Sequence, residues 1–518
     1  MPTNDSVSRR GMLRGALGVA GLTATGVIAP AASSPAASAA LISRGRPVIT
    51  HGIQAGDVTS NSAVVWTRSD RPARMFVQVP GVGTYRGPVL TGKSDFTGRV
   101  QLTGLPAGEA LDYRVVLADP DAHRPVGERA DGLLRTAARR PKDIRFLWSG
   151  DQSGQGWGRN PDLGGFPIYR PMLKRDPHFF LHSGDSIYAD NPITGDVALA
   201  DGRIYRNVLD ESKSHVAETL ADFRGAHRYN LGDEAMRAFL ARTPMVSQWD
   251  DHEVSNNWYP GEILDDERYT EKDIEVLKRR AYQAWAEYQP LSPRTVREHQ
   301  IYRKVSYGPL LDIFILDMRT YRDSNTPGQE KGGISPDGGI LGTEQARWLV
   351  RELDRSKATW KVIQADMPIG LIVPDGDNIE AVAQGRAGRP LGRERQIAWI
   401  LREIKRRKVK NTVWLTADVH YTAAHHYDPA RAGFSDFDPF WEFVSGPLHA
   451  GAFGPNKLDS TFGPKEVFVA APPAANTSPL EGYQFFGEVE IDAHSQDFTV
   501  YLRDIKGKSL WSKTLRSA

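Results

Sequence analysis

The sequence predicts an α+β protein in which an N-terminal β-sandwich precedes a larger layered domain of strands and helices. Short strands separated by turn residues run to about residue 138, and buried strands alternating with helical stretches follow from about residue 142. A chain of 518 residues, 40% of them hydrophobic, can bury a large core. At roughly 100–200 residues a domain, the length agrees with two or three domains.

Composition excludes several classes of function. The net charge is +2, from 65 basic and 63 acidic side chains, so no excess of one sign points to nucleic acid as a partner. The chain contains no cysteine, which excludes disulfide bonds, thiolate metal sites and cysteine nucleophiles. Any bound metal must therefore be held by oxygen and nitrogen atoms.

The first 39 residues are expected to be a twin-arginine signal peptide. Arg9 and Arg10 precede a weakly apolar run from Gly15 to Pro30, and Ala37–Ala39 offers a small-residue cleavage site. The run is too short to span a membrane, which takes about 20 apolar residues. No other stretch approaches that length, so we expect the mature chain to be secreted or extracytoplasmic, delivered by the twin-arginine export machinery.

Residues 45–138 are predicted to form the sandwich, of the immunoglobulin or fibronectin type. Ser62–Thr67, Met75–Val79 and Leu111–Val116 are β-branched or aromatic runs bounded by glycine, proline and aspartate turns. Short strands at this spacing are typical of a small β-sandwich.

Residues 142–518 are predicted to form the second domain, because buried strands there alternate with helical patterns. The predicted strands are Ile144–Ser149, Phe179–His182, Val246–Trp249, Leu311–Leu316, Trp360–Ile363 and Asn411–Leu415. The predicted helices are Glu275–Tyr288, Thr343–Arg355 and Arg393–Arg406. Gln484–Asp492 and Phe498–Asp504 alternate like a hairpin, and Lys506–Ala518 follows as a possible lid.

Four polar segments each begin directly after an apolar strand, where α/β sheets gather functional side chains. They are Asp151-Gln152, Gly184–Tyr188, Asp250–Glu253 and Asp418–His420. One aspartate at a strand end is often only a turn former or a helix cap. Several buried carboxylates at one mouth would repel each other unless cations neutralised them, so the pattern predicts bound metal. Asp, His and Tyr ligands suit Ca²⁺, Mn²⁺, Fe³⁺ or Zn²⁺.

These segments, with Trp249–Val254, Leu316–Arg322 and Leu341–Gln345, resemble the PhoD family of alkaline phosphatases and phosphodiesterases. That family is itself similar to purple acid phosphatases and other calcineurin-like metallophosphoesterases. The resemblance covers nearly the whole chain. It implies that residues 142–518 form a four-layer α/β/β/α metallophosphoesterase domain.

The resemblance also implies a site for two or more metal ions. Its expected ligands are Asp151, Asp185, Tyr188, Asp251, Asn256, Asp418 and His420. Asp185 resembles the carboxylate that bridges two metals, and Tyr188 would bind as a phenolate. His252 is expected to contact the phosphoryl group, and Arg319 or Arg322 to clamp a phosphate oxygen.

One departure from the family pattern bears on metal identity, because the family has a cysteine where this chain has Asp151. A carboxylate is harder than a thiolate, so Fe³⁺ with Ca²⁺ and a divalent pair of Mn, Zn or Co both stay open. Gln364–Pro368 replaces the histidine-rich middle motif of calcineurin-like enzymes, and no ligand role is expected for Asp366.

The expected function is hydrolysis of phosphomonoesters and phosphodiesters by a metal-activated water. One alternative is a phospholipase D of the same family, whose approach to lipid could use the aromatic segment Phe434–Phe443, although packing within a loop explains that segment more simply. A second alternative, from another class, is a non-catalytic envelope protein that binds phosphorylated polymer. The intact ligand set favours an enzyme.

Overall fold

The computed structural model describes residues 45–329 and 339–518, and Arg46–Ala518 form one compact unit. The expected signal peptide at 1–39 and most of the glycine-rich stretch at 331–339 lie outside the described residues. Within 45–329 and 339–518, no helix is both long and apolar enough to cross a membrane.

The N-terminal part is a sandwich of two sheets. Its strands are β1 (Ile49–Gly56), β2 (Ser62–Ser69), β3 (Ala73–Val79), β4 (Gly83–Leu90), β5 (Thr97–Thr103), β6 (Ala110–Ala118) and β7 (Glu128–Arg135). β4-β3-β6-β7 form one sheet, and β1-β2-β5 belong to the other. Alternate residues point to the shared core, where Val65 and Leu102 meet Val77 and Val115.

The rest of the chain supplies the larger layered domain. Its strands are β8 (Ile144–Ser149), β9 (Phe179–Ser183), β10 (Asp196–Ala198), β11 (Ile204–Arg206), β12 (Met245–Gln248), β13 (Arg303–Ser306), β14 (Leu311–Ile315), β15 (Trp360–Gln364), β16 (Pro374–Asp375), β17 (Asn378–Ile379), β18 (Thr412–Thr416), β19 (Thr422–Tyr427), β20 (Phe440–Val444), β21 (Pro464–Ala470), β22 (Phe485–Ile491), β23 (Phe498–Asp504) and β24 (Ser509–Leu515). Its helices are α1 (Tyr169–Lys174), α2 (Leu220–Leu231), α3 (Glu234–Leu240), α4 (Ile274–Tyr288), α5 (Pro293–Glu298), α6 (Gly342–Arg355) and α7 (Glu394–Arg406).

Two large sheets pack face to face between layers of helices. One has the order β24-β23-β22-β8-β9-β12-β1-β2-β5, and the other has β13-β14-β15-β18-β20-β19-β21. Phe146 and Val489 of the first sheet share a core with Ile313 and Val413 of the second. Helices α6 and α7 cover the outer face of the second sheet, and α1 and α3 cover the outer face of the first. The predicted α/β/β/α arrangement is confirmed.

The sandwich is joined to the first large sheet rather than separated from it. β1 pairs in parallel with β12 at Gly56 and Met245, so β1, β2 and β5 extend that sheet. A largely buried ion pair of 2.8 Å between Asp57 and Arg303, the first residue of β13, also links the sandwich to the second large sheet. Because one sheet runs through both parts, the boundary placed between residues 138 and 142 stays a prediction.

The predicted C-terminal hairpin is present, with Val489 of β22 opposite Val500 of β23. The segment after it forms β24, which pairs with β23 at the edge of the sheet. The indole of Trp511 packs against Phe443 and Phe468. Lys506–Ala518 therefore extends a sheet, and the structure does not support a lid there.

Candidate active site

The candidate site lies at the carboxyl ends of parallel strands from both large sheets. β8, β9 and β12 run parallel in one sheet, and β14, β15 and β18 run parallel in the other. The residues that follow these six strands include Asp151, Asp185, Asp250, Asp251, Asp317, Asp366 and Asp418. Parallel strands bring their carboxyl ends to one edge, so residues far apart in the chain meet there.

Four predicted ligands have a left-handed backbone conformation. The φ angles are 66° at Asp151, 52° at Asp185, 68° at Asp418 and 59° at His420. Residues other than glycine seldom adopt these angles, and such strain concentrates at functional sites. Each sharp turn directs a polar side chain away from the strand that delivers it.

Three overlapping groups of side chains lie close enough to hold metal ions. In each group one ligand atom per residue lies within 4.8 Å of the others. The groups are Asp151-Asp185-His420, Asp185-Asp251-His252 and Asp250-Asp251-Asp418. Asp185 belongs to the first and second groups and Asp251 to the second and third, and the bridging position expected of Asp185 stays a prediction.

Tyr188 lies beside His420, a member of the first group. The Tyr188 hydroxyl lies 2.7 Å from His420 Nε2, and His420 Nδ1 lies 2.5 Å from the carbonyl oxygen of Gly451. Burial lowers the pKa of His420 to about 4. The imidazole is therefore neutral, as a metal ligand must be, and the Gly451 carbonyl fixes which nitrogen carries the proton.

His252 is held differently, by a carboxylate. Its Nδ1 lies 2.8 Å from Asp190 Oδ1, and its backbone N–H donates to Asp185 Oδ1 at 3.2 Å. Its ring lies over that of Tyr188, with centroids 4.1 Å apart. Burial alone would lower the pKa of His252, but the surrounding aspartates, Asp190 first, raise it well above its usual value.

These buried carboxylates would be stabilised by metal ions, because without cations they repel one another. Asp151 Oδ2, Asp250 Oδ2 and Asp251 Oδ1 are buried and have no hydrogen-bond partner among the described residues. Burial raises the pKa of Asp151, Asp185 and Asp418 well above the usual value, and neighbouring carboxylates add to the effect. A cation among them would supply the missing partner for these oxygens and remove the repulsion.

Arg319 lies beneath the site with its side chain fully buried. Its Nε lies 2.5 Å from Asp250 Oδ1, and its Nη1 pairs with Glu380. Its Nη2 lies 3.7 Å from both Asp251 Oδ1 and Asp418 Oδ1. The guanidinium is enclosed by carboxylates and is not among the residues that line the pocket, so the expected phosphate clamp stays a prediction.

Arg322, the other arginine considered as a clamp, is also fully buried, and it pairs with Glu380 at 2.9 Å. Asn256 is exposed and lines the pocket, and its backbone N–H donates to Asp190 Oδ2 at 3.0 Å. Metal binding by the Asn256 amide stays a prediction. His425 is buried against Glu442, on β19 and outside the pocket.

Three acidic residues that hold other parts of the site in place were not predicted from the sequence. Asp190 orients His252, and Glu380 joins Arg319 to the pocket wall. The carboxylate of Glu253 accepts the backbone N–H groups of Asp185, Ser186 and Asp250, at 3.1, 2.6 and 2.8 Å. Asp190 and Glu253 lie within recognised motifs, whereas nothing in the sequence around Glu380 marks it.

Above these groups lies a pocket of about 370 Å³. Its lining is Gln155, Asp185, Asp251, His252, Asn256, Asn257, Val373, Pro374, Glu380, Asp418, Val419, His420, Phe453 and Asn456. All the predicted ligands except Asp151 and Tyr188 thus open onto a space that a small ester can enter.

Comparison with known families decides the class of this chain. A family model described as PhoD-like phosphatase matches residues 146–502, and one described as PhoD-like phosphatase, N-terminal domain, matches residues 34–137. The chain belongs to the PhoD-like phosphatase family. The predicted family and the predicted phosphoric ester hydrolase are confirmed, and the non-catalytic alternative is not supported.

Individual relatives agree with this assignment. Alkaline phosphatase D of Bacillus subtilis (strain 168) is 28% identical over 495 residues, covering 88% of this chain and 79% of that protein. A solved structure of PhoD has a TM-score of 0.67 at 21% identity, covering 90% of this chain and 89% of that one. Purple acid phosphatase PPD1 from yellow lupin has a TM-score of 0.52 at 13% identity, covering 91% and 74%. The two structures support the fold.

Replacing the shared carboxylate, Asp185→Asn, should lower both metal content and activity. Loss of a residue that hydrogen-bonds to a metal ligand typically lowers metal affinity or activity by roughly 10–100-fold. Loss of a ligand that two groups share should therefore lower kcat/KM by more than about 100-fold. Elemental analysis and phosphoester hydrolysis measure the two effects. Asp312→Asn, a like change at a buried aspartate on β14, should leave both unchanged. Full metal content in Asp185→Asn would contradict the shared role.

Arg319→Met should destabilise the protein by about 3–5 kcal/mol, because it leaves buried carboxylates without their cation. Denaturant unfolding measures the loss. A phosphate clamp would behave differently: its removal would raise KM and leave the free energy of unfolding near that of the unsubstituted protein.

Proposed function

We propose that this chain is an exported, metal-dependent phosphoesterase that hydrolyses phosphomonoesters and also accepts phosphodiesters. One observation carries the proposal: Asp185 lies within ligand distance both of the Asp151 and His420 group and of Asp251, and His252, oriented by Asp190, stands beside Asp185 and Asp251 as the imidazole left for substrate. Two adjacent ions at such a site are suited to holding a phosphoryl group between them.

The predicted ligands form two sets, one for each ion. Asp151, Asp185, Tyr188 and His420 would hold one ion. Asp185, Asp251, Asp418 and Asn256 would hold the second. When bound, the ions supply positive charge to the phosphoryl oxygens and a water of lowered pKa as the nucleophile.

His252 supplies the remaining chemistry. Because Nδ1 is engaged by Asp190, Nε2 is the ring nitrogen available to substrate. From there the imidazole can stabilise charge on an equatorial oxygen or give its proton to the leaving oxygen. Asp190 keeps the ring oriented for both tasks.

The ligand set limits the metals that are plausible. All its donors are oxygen and nitrogen, and Asp151 stands where the family pattern has cysteine. Hard carboxylates favour Fe³⁺ with Ca²⁺, and a divalent pair of Mn, Zn or Co is the alternative.

The phospholipase D alternative receives no support from the aromatic segment at 434–443. Phe434, Phe437 and Phe440 are buried in the hydrophobic core beside α7. They are therefore not available to insert into lipid, and soluble phosphate esters are the better substrates to test first.

Metal analysis and hydrolysis on one purified sample test the enzymatic proposal. We expect two or more bound ions per chain, and hydrolysis of a phosphomonoester and a phosphodiester that chelation abolishes and added metal restores. The element ratio separates iron with calcium from a divalent pair. Choline release from phosphatidylcholine in excess of phosphate release from the monoester would favour the phospholipase instead. Metal-free protein that stays inactive after metals are added back would refute the proposal.

Export is tested by Arg9→Lys with Arg10→Lys, which keeps the charge but removes the twin-arginine pair. We expect precursor of uncleaved length to accumulate inside the cell and extracytoplasmic activity to disappear. Lys93→Arg, a conservative change in the mature chain, serves as the control. Normal export of the doubly substituted chain would contradict the twin-arginine route.

A further inference from the structure

Lys213 is a buried lysine to which the proposed reaction assigns no task. It ends the short 3-10 helix Glu211–Lys213, and it is only 3% exposed. Burial lowers the pKa of Lys213 to about 8, and the charge of Asp190 opposes that effect. A lysine is rarely buried to this extent unless another group holds its ammonium. The contacts of the ammonium therefore indicate what this residue does.

The ammonium of Lys213 contacts a segment that carries two residues of the candidate site. Its Nζ donates to the backbone carbonyl oxygen of Tyr188, the predicted phenolate ligand. Two residues later in the chain, Asp190 Oδ1 lies 2.8 Å from His252 Nδ1. The segment Tyr188–Asp190 thus has a predicted metal ligand at one end and the carboxylate that orients the imidazole at the other.

The backbone around Lys213 binds the same part of the chain. The N–H of Ala217 donates to the carbonyl oxygen of Ala189 at 2.8 Å, and the N–H of Ile193 donates to that of Lys213 at 2.7 Å. The N–H of Ala189 in turn donates to the carbonyl oxygen of His252 at 2.8 Å. Residues 213–217 are therefore linked through residue 189 to the histidine expected at the phosphoryl group.

We infer that Lys213 is a positioning residue of this site, whose ammonium fixes the segment Tyr188–Asp190. The Tyr188 hydroxyl then stays 2.7 Å from His420 Nε2, and Asp190 stays beside His252. A hydrogen bond from a charged donor is stronger than one between neutral groups, so it resists displacement of the segment.

Lys213 acts through these neighbours and not by contact with substrate. Its ammonium binds a backbone carbonyl, and it is not among the described residues that line the pocket. The inference rests on the proposed phosphoesterase function and adds a residue to its machinery.

Lys213→Met tests the inference, because it removes the ammonium and keeps an unbranched side chain. Partners that hold a metal ligand in place typically contribute about 10–100-fold to metal affinity or activity, so we expect Mn²⁺ to bind about tenfold more weakly. Equilibrium dialysis of chelator-treated protein against Mn²⁺ measures this without turnover. At saturating metal, kcat for a phosphomonoester should fall about tenfold while KM stays within about twofold, because the orientation of His252 matters most in the transition state.

Lys361→Met is the matched control. Lys361 is also buried, and its Nζ donates to the backbone carbonyl oxygen of Ala358 at 2.7 Å. It lies near the start of β15, at the end of the strand away from the site. Both variants should lower the free energy of unfolding, but only Lys213→Met should weaken Mn²⁺ binding and lower kcat. An equal loss of Mn²⁺ affinity in both variants, or no loss in folded Lys213→Met, would overturn the inference.

Hydrogen exchange on the unsubstituted chain gives a measurement that does not depend on a variant folding. Mn²⁺ should slow amide exchange in residues 188–193 and in residues 213–217 together, because hydrogen bonds join the two segments. Slower exchange in residues 188–193 alone would count against a positioning role for Lys213. If the protein binds Mn²⁺ but hydrolyses no ester, the proposed function fails, while dialysis and hydrogen exchange still decide the role of Lys213.

Discussion

The structure of the site depends on balancing many buried negative charges at one edge of two sheets. Parallel strands from both sheets end in aspartates, and most of these carboxylates have almost no contact with water. Arg319 offsets part of the charge from below, through Asp250 and Glu380. Buried oxygens of Asp151 and Asp251 keep no hydrogen-bond partner among the described residues, and metal ions bound there would complete the balance.

This constraint explains features that otherwise look unrelated. Glu253 gathers backbone N–H groups from the turns after β9 and β12, which holds these loops together beneath the site. The left-handed turn at Asp185 is tolerated because that network determines its conformation. Asp190 places a further carboxylate behind His252, so that the imidazole, and not a free acid, faces the pocket. Strain and buried charge are thus concentrated where the chemistry takes place.

The sandwich contributes to the same framework. Since β1 pairs with β12, the sheet that delivers the Asp250–Glu253 segment continues into β2 and β5. Trp66 of β2 donates from its indole nitrogen to the carbonyl oxygen of Glu287 near the end of α4 at 2.7 Å. Movement of the sandwich would therefore disturb the strand that supports the site. We interpret the sandwich as part of the scaffold of the catalytic domain and not as an appended module.

The sequence by itself determined the fold class, the family and the positions at which ligands leave the strands. Strand runs, helix periodicity and the polar segments after them are local patterns, and the bounds of α4, α6 and α7 differ from the predicted ones by one residue at their first position. Only the tertiary structure decided that Arg319 is buried among carboxylates and that Glu380 borders the pocket. These roles depend on contacts between segments 60 or more residues apart, such as Arg319 with Asp250, and side-chain burial at such contacts leaves no periodic signal in the sequence.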